Sequence, residues 1–154
     1  MKKVELVCFG NLKFKGLSEL EAMYIKKIQY FTTFTVCRLD DLKIQDEKVL
    51  LAKQAAMIKK KLIKGDWVVS LDKGGDRMDS TAFARFLGKK ISYHPGRLIF
   101  IIGGHAGLSP CLNEHIGTKI SFSDMTMAHD IFRIVFLEQL FRAFSILKGM
   151  KYHR

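Results

Sequence analysis

Three observations predict an α/β fold, with a mostly parallel sheet and flanking helices. Short runs of continuous apolar residues, such as Trp67 to Leu71 and Leu98 to Ile102, read as strands buried on both faces. They alternate with segments whose apolar residues recur at helical spacing. The connections are short, with no linker, low-complexity run or internal repeat between them. The 154 residues therefore read as a single domain, 1–154, large enough to bury roughly 70% of its unfolded surface.

In chain order, Val4 to Phe9 is the first short buried strand. Ser18 and Glu21 have capping-box spacing, and Leu20, Tyr24, Ile28 and Phe31 follow with helical periodicity. Thr32 to Leu39, β-branched and alternating, is a second strand. Asp46 and Glu47 open a second helix that closes with Lys59, Lys60, Lys61 and Lys64, and Gly65 suits the position just past its end. The lysine run complements the helix dipole, though a dedicated RNA-binding patch has the same composition. Trp67 to Leu71 is the third strand, and Asp72 to Asp76 is a glycine-containing turn after it. Asp79 or Ser80 caps a helix bearing Phe83, Phe86 and Leu87. Leu98 to Ile102, the most hydrophobic strand, ends in Gly103-Gly104-His105-Ala106-Gly107. Ser109 and Pro110 then form an N-cap and first-turn pair for a short helix to about Ile116. A fifth strand from Lys119 to Phe122 and a long C-terminal helix complete the order. Between Ile131 and Leu147, twelve of seventeen positions are apolar and surround the helix, so it must be buried on most sides. It nevertheless carries Arg133, Glu138 and Arg142, whose charges are costly to bury unpaired.

Charge and cysteine usage narrow the class. Lys and Arg number 26 against 15 Asp and Glu, a net charge of +11, which favours polyanionic partners, chiefly nucleic acid. Cys8, Cys37 and Cys111 are far apart and form no Cys-x-x-Cys, which suits a reducing compartment. The apolar run after Lys2 and Lys3 is interrupted by Glu5 and ends at Gly10, too short for a secretion signal. The C-terminal helix is too short and too charged for a membrane span. A cytoplasmic protein is expected, with no membrane partner.

Ligands of open α/β sheets bind beyond the carboxyl ends of the strands. Three such ends stand out: Leu71-Asp72, the turn Gly103 to Gly107, and the loop Ser121 to Met127. The glycines serve either a tight turn or the close approach of a ligand to backbone amides. There is no Gly-x-Gly-x-x-Gly, no P-loop and no nucleophile elbow. The histidines are scattered, with no His-Glu-x-x-His, so no metal is expected. His129 and Arg133 lie one turn apart, as do Glu138 and Arg142; each pair is either charge balance within a buried helix or part of a site.

Several motifs carry a resemblance. Phe100 to Leu108 is similar to a glycine-turn motif, and Ser121-Phe122-Ser123-Asp124-Met125-Thr126 to a cofactor loop. His129-x-x-x-Arg133, the run Glu138 to Ala143 and the terminal Tyr152-His153-Arg154 complete the set. Together they resemble the ribosomal RNA large subunit methyltransferase H family of the SPOUT class, over the whole chain and most specifically in its C-terminal third. The resemblance implies a C-terminal trefoil knot, a homodimer and S-adenosylmethionine as cofactor. It implies methylation of N3 of a pseudouridine in 23S ribosomal RNA of the assembled ribosome. By position, Leu71, Gly103 and the loop Phe122, Ser123, Asp124, Met125, Thr126 and Met127 contact the cofactor, and Tyr152, His153 and Arg154 reach the target nucleotide. His129 is a candidate base for the N3 proton. Arg133 and Arg142 bind phosphate, pair with Glu138 or support the cofactor loop. The family commonly has proline where this chain has Ala128, which implies a less constrained entry into the last helix. Two other functions compete: a basic ribosome-associated protein without catalysis, and a SPOUT enzyme acting on transfer RNA.

Overall fold

The computed structural model describes residues 2–152. Its elements are β1 (Lys3–Phe9), α1 (Lys15–Gln29), β2 (Thr33–Leu39), α2 (Glu47–Lys59), β3 (Trp67–Arg77), α3 (Ser80–Tyr93), β4 (Leu98–Ile102), a 3-10 turn (Pro110–Leu112), β5 (Ile116–Ser121) and α4 (His129–Leu147). All five strands pair in parallel in the order β2-β1-β4-β3-β5. The expected α/β class and parallel sheet are observed.

The period-2 alternation of strand side chains divides the core into two layers. Val4, Leu6 and Cys8 of β1 face one side, with Phe100 of β4 and with Phe83, Leu87, Phe136, Leu140 and Phe144 from the helices. Val7 and Phe9 face the other, with Ile99 and Ile101 of β4 and with Ala55, Ile58 and Leu112. Helix α4 packs on α1 and α3, while α2 meets the 3-10 turn. β4 is buried along its whole length, as its uninterrupted apolar sequence demands.

Local signals placed most boundaries. Asp46 accepts from the Val49 amide, Asp79 from the Ala82 amide and Ser109 from the Cys111 amide, each capping the element that follows. Four expectations need correction. Helix α1 starts at Lys15, so Ser18 lies inside it; its hydroxyl donates to the Phe14 and Leu12 carbonyls and forms no capping box. Helix α2 ends at Lys59, and Gly65 sits in a later turn with φ +94°. Asp72 to Asp76 is not a turn after β3 but part of that strand. The register with β5 shifts between Leu71 and Asp76, both of which pair with Ile120, so the glycines are absorbed as an irregularity within the ladder. A side chain on Gly75 would come within 2.5 Å of the Ile120 backbone nitrogen. The expected helix from Pro110 to about Ile116 is only the 3-10 turn, because β5 begins at Ile116.

The order of the strands positions the site. From β3 the chain crosses through α3 to β4, then reverses and returns past β3 to reach β5. The connection after β4 therefore passes the carboxyl end of β3, and the connection after β5 begins beside it. A crevice at such a reversal is where open α/β sheets hold ligands.

Candidate functional site

A cavity of about 510 Å³ lies at this reversal, within the size range of small-molecule pockets. Its wall comes from three connections. The end of β3 supplies Leu71, Asp72 and Lys73; the end of β4 and its turn supply Ile102 to His105, Gly107 and Leu108; the segment into α4 supplies Ser121 to Ser123, Met125 to His129 and Phe132.

The glycine turn closes on itself. The Gly107 amide donates to the Gly104 carbonyl at 3.0 Å, and Gly107 has φ +81°, a conformation that glycine adopts without a Cβ penalty. A Cβ on Gly103 would lie 2.5 Å from the Gly107 carbonyl oxygen, so any larger residue there would force the turn open. The result is a bare backbone wall on the cavity.

Asp72 is held from both sides: Oδ2 accepts from the Ser70 hydroxyl at 2.9 Å and Oδ1 from the Gly74 amide at 2.8 Å. In the third segment the Ser121 hydroxyl donates to the Ser123 carbonyl at 3.1 Å, and the Ser123 hydroxyl accepts from the Met125 amide at 3.0 Å. These bonds fold the loop over its own backbone. Phe122 anchors it from beneath, edge-on to Phe83 at 5.3 Å and Phe132 at 5.6 Å. Met125 is 78% exposed although it borders the cavity.

Most of the residues expected to contact a cofactor meet here. Leu71, Gly103, Phe122, Ser123, Met125, Thr126 and Met127 all line the cavity, and so does His129. Asp124 does not; its carboxylate pairs with Arg77 at 2.7 Å and ties the loop to the end of β3. Arg133 is also outside the wall, although it is one turn from His129. Its side chain is 1% exposed, and Nη2 donates to the carbonyls of Phe9 at 2.7 Å and Gly10 at 3.0 Å. Nη1 reaches Glu21 at 3.5 Å, and Glu21 in turn pairs with Arg38 at 2.7 Å. Arg133 therefore locks α4 to the end of β1. His129 Nε2 lies 3.0 Å from Asp130 Oδ1, its neighbour in the first turn of α4.

The tail residue Tyr152 is elsewhere. Its ring stands edge-on to Phe141 at 4.7 Å with the Arg142 guanidinium 4.8 Å above it, and its hydroxyl donates to Glu138 at 3.1 Å. Burial, together with hydrogen bonds to Tyr24 and Glu138, pushes its phenol up to about 12. Arg142 pairs with Glu138 at 2.6 Å, and that hydrogen bond holds its guanidinium protonated more firmly than usual. His153 and Arg154, expected to reach the target nucleotide, lie outside the described residues. Lys73, Ile102, Leu108 and Phe132 line the cavity without any individual signal in the sequence; only their places at strand ends and one turn into α4 could have indicated them.

The donor set suits an organic ligand better than a metal. Among the described residues no group of three or more His, Cys, Asp or Glu side chains could hold an ion, and none of their helices is long and apolar enough to cross a membrane. An apolar lining of Leu71, Ile102, Leu108 and Phe132 beside the glycine turn fits a ligand with an apolar body and a polar edge.

The sequence has relatives over its full length. A family model described as predicted SPOUT methyltransferase matches residues 2–153. The ribosomal RNA large subunit methyltransferase H of Malacoplasma penetrans is 37% identical over 157 residues, covering 99% of each chain. The protein of that name from Christiangramia forsetii is 36% identical over 153 residues, covering 97% of this chain and 98% of its own. Among solved structures, a probable methylase family protein from Haemophilus influenzae aligns with TM-score 0.57 at 12% identity, covering 99% of this chain and 71% of that one. A probable methyltransferase from Bordetella pertussis aligns with TM-score 0.56 at 16% identity, covering 92% and 96%. At such identities the two structures speak for the fold alone.

Proposed function

The chain belongs to the ribosomal RNA large subunit methyltransferase H family of the SPOUT methyltransferases, and from that premise we propose that it transfers a methyl group from S-adenosylmethionine to N3 of a pseudouridine in 23S ribosomal RNA of the assembled ribosome. The observation that carries the reading is the cavity at the strand reversal, walled by a bare glycine turn and by the Phe122 to Met127 loop.

The residues present fit such a donor. Leu71, Ile102, Leu108 and Phe132 offer apolar surface to a nucleoside base, and the peptide groups of Gly103 to Gly107 offer hydrogen bonds to its edge. When bound, the donor supplies an electrophilic methyl group on a sulfonium. The protein's task is then to orient: holding nucleophile and methyl in line can supply about 7–11 kcal/mol of the barrier. The hydrogen bonds within the Ser121 to Met125 loop and the aromatic anchor of Phe122 support the wall that would do so. That His129 lines the cavity, with Asp130 beside it, supports it as the candidate base for the N3 proton.

The same reading carries a homodimer, a trefoil threading of the C-terminal segment and a cytoplasmic location. Two observations support the dimer. Tyr152 docks on Glu138, Phe141 and Arg142, about 14–20 Å along α4 from His129 at its start. A tail held there serves the target nucleotide in a partner's cavity more readily than in its own. Ile131, Ile134 and Val135 also leave an apolar strip on α4 that the fold covers only in part. The threading is supported by the meeting of the β4–β5 connection and the loop after β5 on one cavity.

Ribosomes with and without the pseudouridine, incubated with methyl-labelled S-adenosylmethionine, test the reading. Label is expected on 23S RNA only where the pseudouridine is present. Donor binding without transfer to any ribosomal substrate would sink it; label on transfer RNA would favour a different SPOUT activity; and salt-sensitive RNA binding without donor binding would favour a non-catalytic ribosome partner.

A further inference from the structure

Gln54, on α2, has no part in the site described so far, yet it is the most anomalous polar group near it. It is only 2% exposed, and neither its Nε2 nor its Oε1 has a hydrogen-bond partner. A primary amide has two donor hydrogens and an acceptor oxygen, and leaving them buried and unpaired is costly. Its helical neighbours Ala55 and Ile58 fill the same layer with apolar groups, so an apolar side chain at position 54 would pack there without that cost.

The amide faces the glycine turn. A Cβ on Gly104 would lie 2.8 Å from Gln54 Nε2 and 3.4 Å from Oε1, so the bare backbone of Gly104 is what the amide abuts. Gly104 lines the cavity and Gln54 does not. Gln54 is therefore the layer behind the cavity wall, with a donor and an acceptor that match those of a peptide group.

We propose that Gln54 is a positioning residue for the donor-binding turn, its amide pairing with the peptide groups around Gly104 only in the arrangement the turn adopts with ligand bound. Binding then makes hydrogen bonds that the free protein lacks, and the unpaired amide of the free state is the reserve on which this selectivity draws. The proposal rests on the reading that the cavity takes S-adenosylmethionine.

Calorimetry with S-adenosylmethionine and thermal unfolding, on the full chain and on Gln54→Met, separate the possibilities. For Gln54→Met the free protein is expected to unfold at the same temperature or higher, because an unpaired amide has been removed, while donor affinity falls about tenfold through the lost bound-state hydrogen bonds. Gln54→Glu adds a second readout. A buried carboxyl is neutral at acid pH and then offers both a donor and an acceptor, so donor affinity of this variant, relative to wild type, should recover as pH falls. Unchanged affinity in Gln54→Met overturns the assignment, as does a loss of stability or of folding, which would mean that Gln54 is already bonded in the free protein. A wild-type chain that binds no donor overturns the donor reading and this assignment together; a wild type that binds, beside a Gln54→Met that binds as tightly, overturns the assignment alone.

Discussion

The two ends of α4 are built for different purposes. At its start, Ala128 provides no side-chain cap and His129 is half exposed on the cavity wall. At its far end Glu138, Phe141 and Arg142 are engaged with one another and with Tyr152, which returns to pack on them. Between the two, Arg133 is buried and bonded to the end of β1. The first end is left free to meet a ligand, the last is tied down, and the middle fixes the helix to the sheet. A cavity-lining end and an anchored end thus share one helix, with a buried ionic clamp between them.

Removing the tail tests the division most severely. Deleting Tyr152 to Arg154 is expected to abolish methylation while donor affinity, measured by calorimetry, stays within about twofold, since Glu138, Phe141, Arg142 and Tyr152 do not line the cavity. A collapse of donor binding would show that the two ends are coupled. His129→Ala addresses the open end: if the imidazole takes the N3 proton, single-turnover methyl transfer falls about 10²–10⁴-fold with the donor still bound. An unchanged rate would assign that proton to another group.

Arg133→Ala attacks the clamp. Its loss leaves the Phe9 and Gly10 carbonyls without this donor and Glu21 with Arg38 alone, and urea denaturation should show a destabilisation of about 2–5 kcal/mol, with activity lost through unfolding. The tied end has a pH signature. The phenol of Tyr152 is raised from 10.0 to about 12 in the folded chain, so the docked tail favours the protonated form. Its contribution is complete below pH 10 and is lost as pH rises toward 12. Tyrosinate absorbance should show one late-titrating phenol that Tyr152→Phe removes. The smallest effect belongs to the entry of the helix. Ala128 has φ −56°, close to what a proline ring imposes, so Ala128→Pro should stabilise by about 0.4–1 kcal/mol through the unfolded chain. Thermal unfolding reads this out, and a loss of stability would mean that the Ala128 amide is needed.

What the sequence made legible was local. The bounds of β4 and the caps Asp46, Asp79 and Ser109 follow from neighbouring residues alone. The glycine turn and the loop after β5 were visible because glycines and polar residues interrupt strongly apolar runs. Pairings distant in sequence were not. The role of Arg133 depends on Phe9, Gly10 and Glu21, more than a hundred positions earlier, and no periodicity carries such a link. The extension of β3 was hidden for a related reason: Asp72 to Asp76 has turn composition, but the partner strand β5 captures it. Gln54 gave no sign at all, since an amide on a helix is ordinary until its surroundings are known.

The clamp between Arg133 and the end of β1 also bears on how the chain is made. Synthesis runs from the N-terminus, so β1 and α1 leave the ribosome long before α4 exists. Until residue 133 and the aromatic residues after it emerge, the face formed by Leu6, Cys8 and Ile28 has only part of its cover, and Glu21 lacks its buried cation. A chain interrupted before α4 would leave the faces of α1 and α3 that α4 covers open to the solvent, where unpaired apolar surface invites aggregation.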